Sequence, residues 1–307
     1  MVGKKSVCFS KAWKIVAAAL ACALIAGCKP AITGFDGTKA MAEVEELLKI
    51  SPRDAGTGGA RRAAVYLETR LKELGLKAAI IAFPEETPNG LMHFNNVVAR
   101  IPGKTQRTIV LASHFDTKSG ISKDFQGAND SGSSSGVLME LARILTKRAP
   151  YETSFMIAFL DGEECRTQYS PNDGLHGSRH LARQIYEAGG VKDIAAVIVL
   201  DMIGDKNLKV TVPRNSSREM TKELFYAAHE LGVREYFGLG EGSILDDHVP
   251  FLLAGMPVID VIDFEYGSAP GLNDYWHTPE DTLDKLSVKS LQVVGDVVLR
   301  MIENMQQ

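Results

Sequence analysis

Two stretches restrict most strongly what this chain can fold into. Phe155–Leu160 (FMIAFL) has no polar residue, and Ala195–Met202 (AAVIVLDM) is apolar as far as Leu200. Such runs lack the alternation of a strand with one wet face and are short for buried helices. They fit strands covered on both sides, as in a sheet with helices packed above and below it. Segments of helical spacing stand among the strands. Met41–Ile50 and Gly59–Leu74 are two of these, and the second closes on Gly75, a helix-terminating residue. Short β-branched or apolar runs follow at Ala78–Phe83, Asn96–Ile101 and Thr108–Ser113. Ser135–Lys147 is predicted helical, with Val137, Leu141 and Leu145 on one face. Further helices are predicted at Leu175–Ala188, Glu219–Leu231 and Ser287–Ile302, the last capped by Ser287, and a strand at Val258–Ile262. This alternation predicts a single three-layer α/β/α domain with a mixed, largely parallel central sheet, the two apolar strands lying centrally. In such sheets ligands bind beyond the carboxyl ends of the strands.

The chain has 307 residues, 45% of them hydrophobic, which is enough for one core of the larger single-domain kind. The charged residues form no long run of one sign and sum to −4, so there is no basic footprint for nucleic acid.

Residues 1–27 read as an export signal. Lys4, Lys5, Lys11 and Lys14 make a basic start, and Ile15–Ala26 is almost purely apolar yet short for a bilayer span. The stretch ends in Leu24-Ile25-Ala26-Gly27-Cys28, which resembles the bacterial lipobox, with Cys28 as the lipid acceptor. The expected organisation is a lipoprotein signal peptide (1–27), a lipidated cysteine with its tether (28–39) and a catalytic domain (40–307). The product is then exported and lipid-anchored to a bacterial membrane, facing the periplasm or the cell exterior. Losing residues 1–27 removes four lysines and no acid, moving the net charge from −4 to −8. Cys8 and Cys22 leave with the signal and Cys28 is acylated, so Cys165 stands alone and the domain has no internal disulfide.

Strong polar features gather at the predicted strand ends. They are His114-Phe115-Asp116, then Gly127-Ala128-Asn129-Asp130, then Asp161-Gly162-Glu163-Glu164, then Asp201, then Asp246-Asp247-His248 and Trp276-His277-Thr278. Any one of these is most often a cap or a solvated loop residue, but so many clusters at successive strand ends are poorly explained that way. Adjacent Glu163 and Glu164 at the end of a buried strand repel one another and are costly to desolvate. A divalent cation relieves this by binding one carboxylate, leaving the other as a base of raised pKa. Asp, Glu and His donors on scattered loops suit zinc in an open, catalytic site.

The ordered constellation of His114-x-Asp116, Asp130, Glu163-Glu164, Asp201 and His277-Thr278 resembles the M28 family of zinc aminopeptidases over nearly the whole exported part. In its two-zinc form the resemblance implies His114, Asp130, Glu164, Asp201 and His277 as ligands and Glu163 as general base on a metal-bound water. Further stretches are similar to the glutaminyl-peptide cyclotransferases of the same fold. These are Leu160–Glu164, Ser170–Leu175, Gly177–Ala182, Asp246–Phe251 and Trp276–Thr278. That resemblance implies one zinc on Asp130, Glu164 and His277, with His114 and Asp201 as second-metal ligands or supporting residues. It also implies Glu163 and Asp246 as proton-handling catalytic residues and Trp276 as a pocket wall against the substrate. Aminopeptidases usually carry Ser where this chain has Asp246. Tyr169 replaces a pocket Trp of the animal cyclases, and Asp260 replaces a His.

Two enzyme activities on peptide or protein N-termini are therefore expected. The first is conversion of N-terminal Gln to pyroglutamate with release of ammonia. The alternative is an aminopeptidase with two zinc ions. A third expectation, a binding protein on an inactive scaffold, ranks low because every ligand and the base are present. His248 is expected to support the site rather than ligate. Asp246 has a competing reading as a helix N-cap, and Cys165 is expected to be a small buried residue and not a nucleophile.

Overall fold

The computed structural model describes residues 1–3 and 33–306. Cys28 and most of the proposed signal lie outside the described residues. From the N-terminal side the elements are α1 (Gly37–Leu48), α2 (Gly58–Glu73), β1 (Lys77–Thr87), β2 (Gly90–Ile101) and β3 (Thr108–His114). Then come α3 (Ser134–Arg148), β4 (Ser154–Leu160), α4 (His176–Glu187), β5 (Ile194–Asp201) and β6 (Val210–Val212). The last are α5 (Arg218–Glu230), β7 (Phe237–Leu239), α6 (His248–Leu253), β8 (Val258–Ile262) and α7 (Val288–Met305).

Six strands form one sheet in the order β1-β2-β4-β3-β5-β8. β1 and β2 pair antiparallel and β2 meets β4 antiparallel, while β3 runs parallel to β4 and β5, and β5 parallel to β8. The two apolar runs are interior strands, as their composition requires. Alternation of side chains divides the core. Ile109, Leu111, Ile157, Phe159, Ile198 and Leu200 face a layer made by α1, α2, α3, α5 and α7. Val110, Ala112, Met156, Ala158, Val197 and Val199 face Leu181, Ala182 and Ile185 of α4 and Phe251 of α6. Each fully buried aliphatic or aromatic side chain contributes about 1.5–3 kcal/mol, so strands apolar on both faces stabilise both layers at once.

Local signals hold where they are strong. The Ser287 hydroxyl accepts from Lys289 N at the start of α7, and Gly75 takes φ +86 after α2. Three differences stand out. β1 and β2 run on to Thr87 and Gly90 as a partly exposed ribbon, whose outer half is held by mutual pairing and by a small cluster of Phe83, Phe94 and Ala55. β6, β7 and α6 are three to six residues long and carry too few residues for a periodic signal. The packed domain also begins before residue 40. α1 starts at Gly37, with the Asp36 carboxylate accepting from Thr38 N and Lys39 N, and Phe35 is buried against Gly295, where a Cβ would meet its ring at 2.3 Å.

Candidate metal centre

Because β3, β4, β5 and β8 are parallel, their carboxyl ends share one edge of the sheet. His114 is the last residue of β3 and Asp201 the last of β5. β4 runs out through Asp161 into Gly162, whose φ of +80 and nearness to Phe94, with a Cβ 2.6 Å from the ring, demand glycine. This bend presents Glu163 and Glu164. The buried Asp116 carboxylate fixes them by accepting from Glu163 N at 3.1 Å and Glu164 N at 3.2 Å. Asp130 comes from the irregular segment before α3, and His277 from the loop before α7, in a left-handed conformation (φ 55). A non-glycine residue held there stores strain of order 1–3 kcal/mol that its surroundings must offset.

The predicted ligands converge. His277 Nε2 lies 2.9 Å from Glu164 Oε1 and 3.3 Å from Asp130 Oδ2. On the other side of Asp130, His114 Nε2 lies 3.1 Å from Asp130 Oδ1 and 3.2 Å from Asp201 Oδ1. One donor atom from each of Asp130, Glu164 and His277 falls within 4.8 Å of the others, and the same holds for His114, Asp130 and Asp201. Two three-donor nests therefore share Asp130. Glu164 Oε2 and His114 Nδ1 are buried without a hydrogen-bond partner among the described residues. Oxygen and imidazole donors, buried and incompletely satisfied, fit a divalent cation of the zinc kind.

The electrostatics agree. Burial, then repulsion from Asp130, pushes the Glu164 carboxyl up to about 7. Burial, with Glu164, Asp246 and Asp247 adding to it against His114, holds Glu163 well above the usual carboxylate range. Asp201 is likewise held well above its ordinary value, chiefly by burial. Burial disfavours the charged His277 ring, yet Asp130 and Glu164 outweigh it and raise the ring to about 9. Carboxylates outnumber imidazoles here, so the cluster must hold protons or a cation to be stable.

Above this cluster is a pocket that Asp130, Glu164 and His277 help to line. Its floor is acidic, with Glu163, Asp201 and Asp246 beside the ligands, and its wall is apolar, with Met202, Ile244, Leu245, Ile262, Phe264 and Trp276. The Trp276 indole stacks on the His277 ring at 3.9 Å between centroids and tilts against Phe264 at 5.1 Å. Asp246 is not a helix cap. Asp247 occupies the position before α6, and neither side chain caps that helix. His248 is fully buried behind the floor, 3.3 Å from Asp260 Oδ2; it stands outside the two nests that share Asp130 and makes a separate three-donor group with Asp246 and Asp260. Cys165 is buried, as expected of a small packing residue.

Three groups have partners that the sequence did not give. The Tyr169 hydroxyl donates to Glu163 Oε1 at 2.8 Å. Lys118 Nζ lies 3.6 Å from Glu164 Oε2. Asp260 packs into the Asp246–His248 corner, where burial and Asp246 push its carboxyl well up. A tyrosine six residues after a glutamate, or a lysine two after Asp116, carries no periodic or spacing signal. The substitutions of Tyr169 for a pocket tryptophan and of Asp260 for a histidine pointed toward the first and the third.

The sequence profile of peptidase family M28 matches residues 96–302. A glutaminyl-peptide cyclotransferase from Bos taurus is 30% identical over 286 residues, covering 80% of this chain and 77% of that protein. Among solved structures, the glutaminyl cyclase of an Acidobacteriales bacterium superposes with a TM-score of 0.83 at 36% identity, covering 89% of this chain and 95% of that one. A Zn-dependent exopeptidase from Parabacteroides distasonis superposes with a TM-score of 0.78 at 26% identity, covering 89% and 98% of the two chains. The profile runs from within β2 into α7 and takes in every donor of both nests, and by that match the chain belongs to peptidase family M28.

Proposed function

We propose that the chain is a zinc-dependent glutaminyl-peptide cyclotransferase that converts N-terminal Gln to pyroglutamate and releases ammonia. The observation that carries this reading is the pocket itself, in which Asp246 sits on the floor beside Glu163 beneath an apolar wall that includes Trp276. The likeness to glutaminyl cyclases at 36% and 30% identity supports it. Zinc as the cation is supported by the family and by the Zn-dependent neighbour. Asp130, Glu164 and His277 would hold the ion, which when bound supplies Lewis-acid polarisation of the substrate's side-chain amide carbonyl.

The remaining work falls to the chain's own residues. The pocket holds the Gln side chain folded toward its own α-amine, so the nucleophile and the carbonyl carbon meet within one molecule. Effective molarities for such closures are on the order of 10⁵ M or more. Glu163, buried and of raised pKa, accepts a proton from the attacking amine and returns it to the departing nitrogen. The new bond joins the α-nitrogen to the side-chain carbon, and the bond to the amide nitrogen breaks as ammonia leaves. Tyr169 orients the Glu163 carboxylate through its hydroxyl, and Asp246 holds the proton network from the other side. The apolar wall keeps bulk water from competing with the amine. The test is ammonia release from Gln-peptides by the purified protein. Release of free N-terminal amino acids without ammonia would sink the reading.

A second reading rests on one observation, the nest of His114, Asp130 and Asp201. Filled, it makes the two-metal site of an aminopeptidase. Near two zinc per chain, with loss of activity in His114→Ala, would favour that alternative, whereas one zinc per chain supports the cyclase.

The export reading belongs to the same proposal. The basic start, the apolar run and Leu24–Cys28 support a lipid anchor on Cys28 that holds the enzyme on a bacterial membrane, facing the periplasm or the exterior. Metabolic labelling with a fatty acid tests it. Cys28→Ala should abolish the label and release the protein from the membrane fraction, and persistence of both would refute the anchor.

A further inference from the structure

Arg53 heads the fully buried side chains in size among the described residues, with none of its surface exposed. Buried arginines ordinarily face carboxylates. This one does not. Its Nε donates to Phe115 O at 2.8 Å, one terminal nitrogen donates to Ser51 Oγ at 2.7 Å and Gln126 O at 2.9 Å, and the other donates to Gly127 O at 3.0 Å. Its own backbone N–H donates to Thr117 Oγ1 at 2.9 Å. Three of these acceptors are main-chain carbonyls at the two ends of the loop between His114 and Asp130. Burial pulls the guanidinium down to about 10, and Asp281, then Asp116 and Asp130, act against that, so it stays charged at neutral pH.

The same segment is gripped again a few residues on. Asp281 Oδ1 accepts from Asn129 N at 2.7 Å and Oδ2 from Asp130 N at 3.2 Å, while the Asp281 carbonyl accepts from Ala128 N at 3.4 Å. The Tyr266 hydroxyl donates to Asp281 Oδ1 at 2.8 Å and fixes it in turn. The guanidinium therefore takes the carbonyls at the start of residues 126–130, and the Asp281 side chain takes the amides at their end. The segment is folded too tightly to shift freely, since a Cβ on Gly127 would stand 2.5 Å from both Asp130 O and Thr117 Cγ2.

We propose that Arg53 and Asp281 are paired positioning residues that grip residues 126–130 by their carbonyls at one end and their amides at the other, fix the Asp130 carboxylate before the cation arrives, and thereby set the affinity of the metal site. The inference rests on the reading of Asp130 as a zinc ligand. Neither residue lines the pocket; both act through the segment that carries Asp130, and Arg53 also holds Phe115, the neighbour of His114. Supports of this kind typically change metal affinity about 10–100-fold when removed.

The experiment measures zinc affinity by competition with a chromogenic chelator, together with the melting temperature of the metal-free protein. The variants are R53M, R53K, D281N, Y266F, the R53M/D281N double and D130N. R53M and D281N are expected to weaken zinc about tenfold or more while stoichiometry at saturating zinc is retained. R53K recovers part of the loss because it keeps the charge with fewer donors. The double variant loses less than the product of the two single losses, because both residues hold one segment. If R53M does not fold, D281N and Y266F report on the same clamp. Lower melting temperatures with native zinc affinity in R53M and D281N, alongside a D130N that loses zinc, would overturn the inference and leave the site reading intact. Native affinity in D130N would instead overturn the ligand reading, and the clamp with it.

Discussion

Replacing Tyr169 by phenylalanine tests the proton chemistry directly. The ring stays in the pocket wall, and what disappears is the hydroxyl that donates to Glu163 Oε1 at 2.8 Å. A hydrogen bond to a charged acceptor contributes about 1.5–3 kcal/mol. It stabilises the Glu163 carboxylate more than the neutral acid, because only the carboxylate accepts with full charge. One unit of pKa corresponds to about 1.36 kcal/mol, so losing the donor should raise Glu163 by roughly 1–2 units. That carboxyl is already held well above its ordinary value by burial and by Glu164, Asp246 and Asp247. The proton-accepting form therefore becomes scarcer at any given acidic or neutral pH. The assay is ammonia release from a Gln-peptide across pH, followed on kcat so that titration of the free substrate drops out. The acid limb should move to higher pH by about 1–2 units, with the rates of the two enzymes converging well above it. A limb that stays in place while the rate falls equally at every pH would refute the reasoning and leave Tyr169 as a wall residue only.

Other outcomes follow from the same geometry. Glu163→Gln should lower turnover about 10²–10⁴-fold with zinc content unchanged, and loss of zinc in that variant would make Glu163 a ligand instead of the base. Stripping the metal with a chelator should lower the melting temperature, since zinc at 100 times its Kd adds about 2.7 kcal/mol to a folded site, worth roughly 5 °C in a domain of this size. His277→Ala should remove that chelator-sensitive difference, and its persistence would show that His277 is not needed for binding. Asp161, pushed up to about 8 by burial and then by Asp116, gives a stability prediction with a definite sign. The unfolded chain releases that proton near pH 4 whereas the fold keeps it to about 8, so stability falls as pH rises through this window. Asp161→Asn keeps the oxygen that accepts from Asn95 N and removes the titration. In urea unfolding its gain over the native protein should grow from pH 5 to pH 8, and parallel curves at the two pH values would contradict this.

Much of the architecture is written locally. Phe155–Leu160 and Ala195–Leu200 have nothing polar to show solvent, so only interior strands accommodate them, and β4 and β5 are interior. Ser287 and Gly75 act on neighbours two to four residues away, which is why their capping roles are legible without a fold. The parallel sheet then forces the strand-end residues onto one edge. Asp130, Glu164 and His277, along with His114 and Asp201, were named as a set by the resemblance to family M28, and that edge with its loops is where they meet.

Tertiary structure alone decided the rest, because the deciding contacts join residues far apart in the chain. His277 meets Glu164 across 113 positions, and Asp281 meets Asn129 across 152. Nothing in the local sequence distinguishes an Asp246 that caps a helix from one that lines a pocket floor; the turn before α6, with Asp247 in the capping position, settles it. The sequence marks Tyr169 only as standing where the animal cyclases have a pocket Trp; its hydrogen bond to Glu163 exists only in the fold. Arg53 looks like a surface arginine between two helices, and only the enclosed fold shows its guanidinium donating to the carbonyls of the loop that carries Asp130. Residue type and spacing determine which donors are available. Burial and direction, which set what each donor touches and what charge it can bear, exist only once the sheet edge and its loops have closed around them.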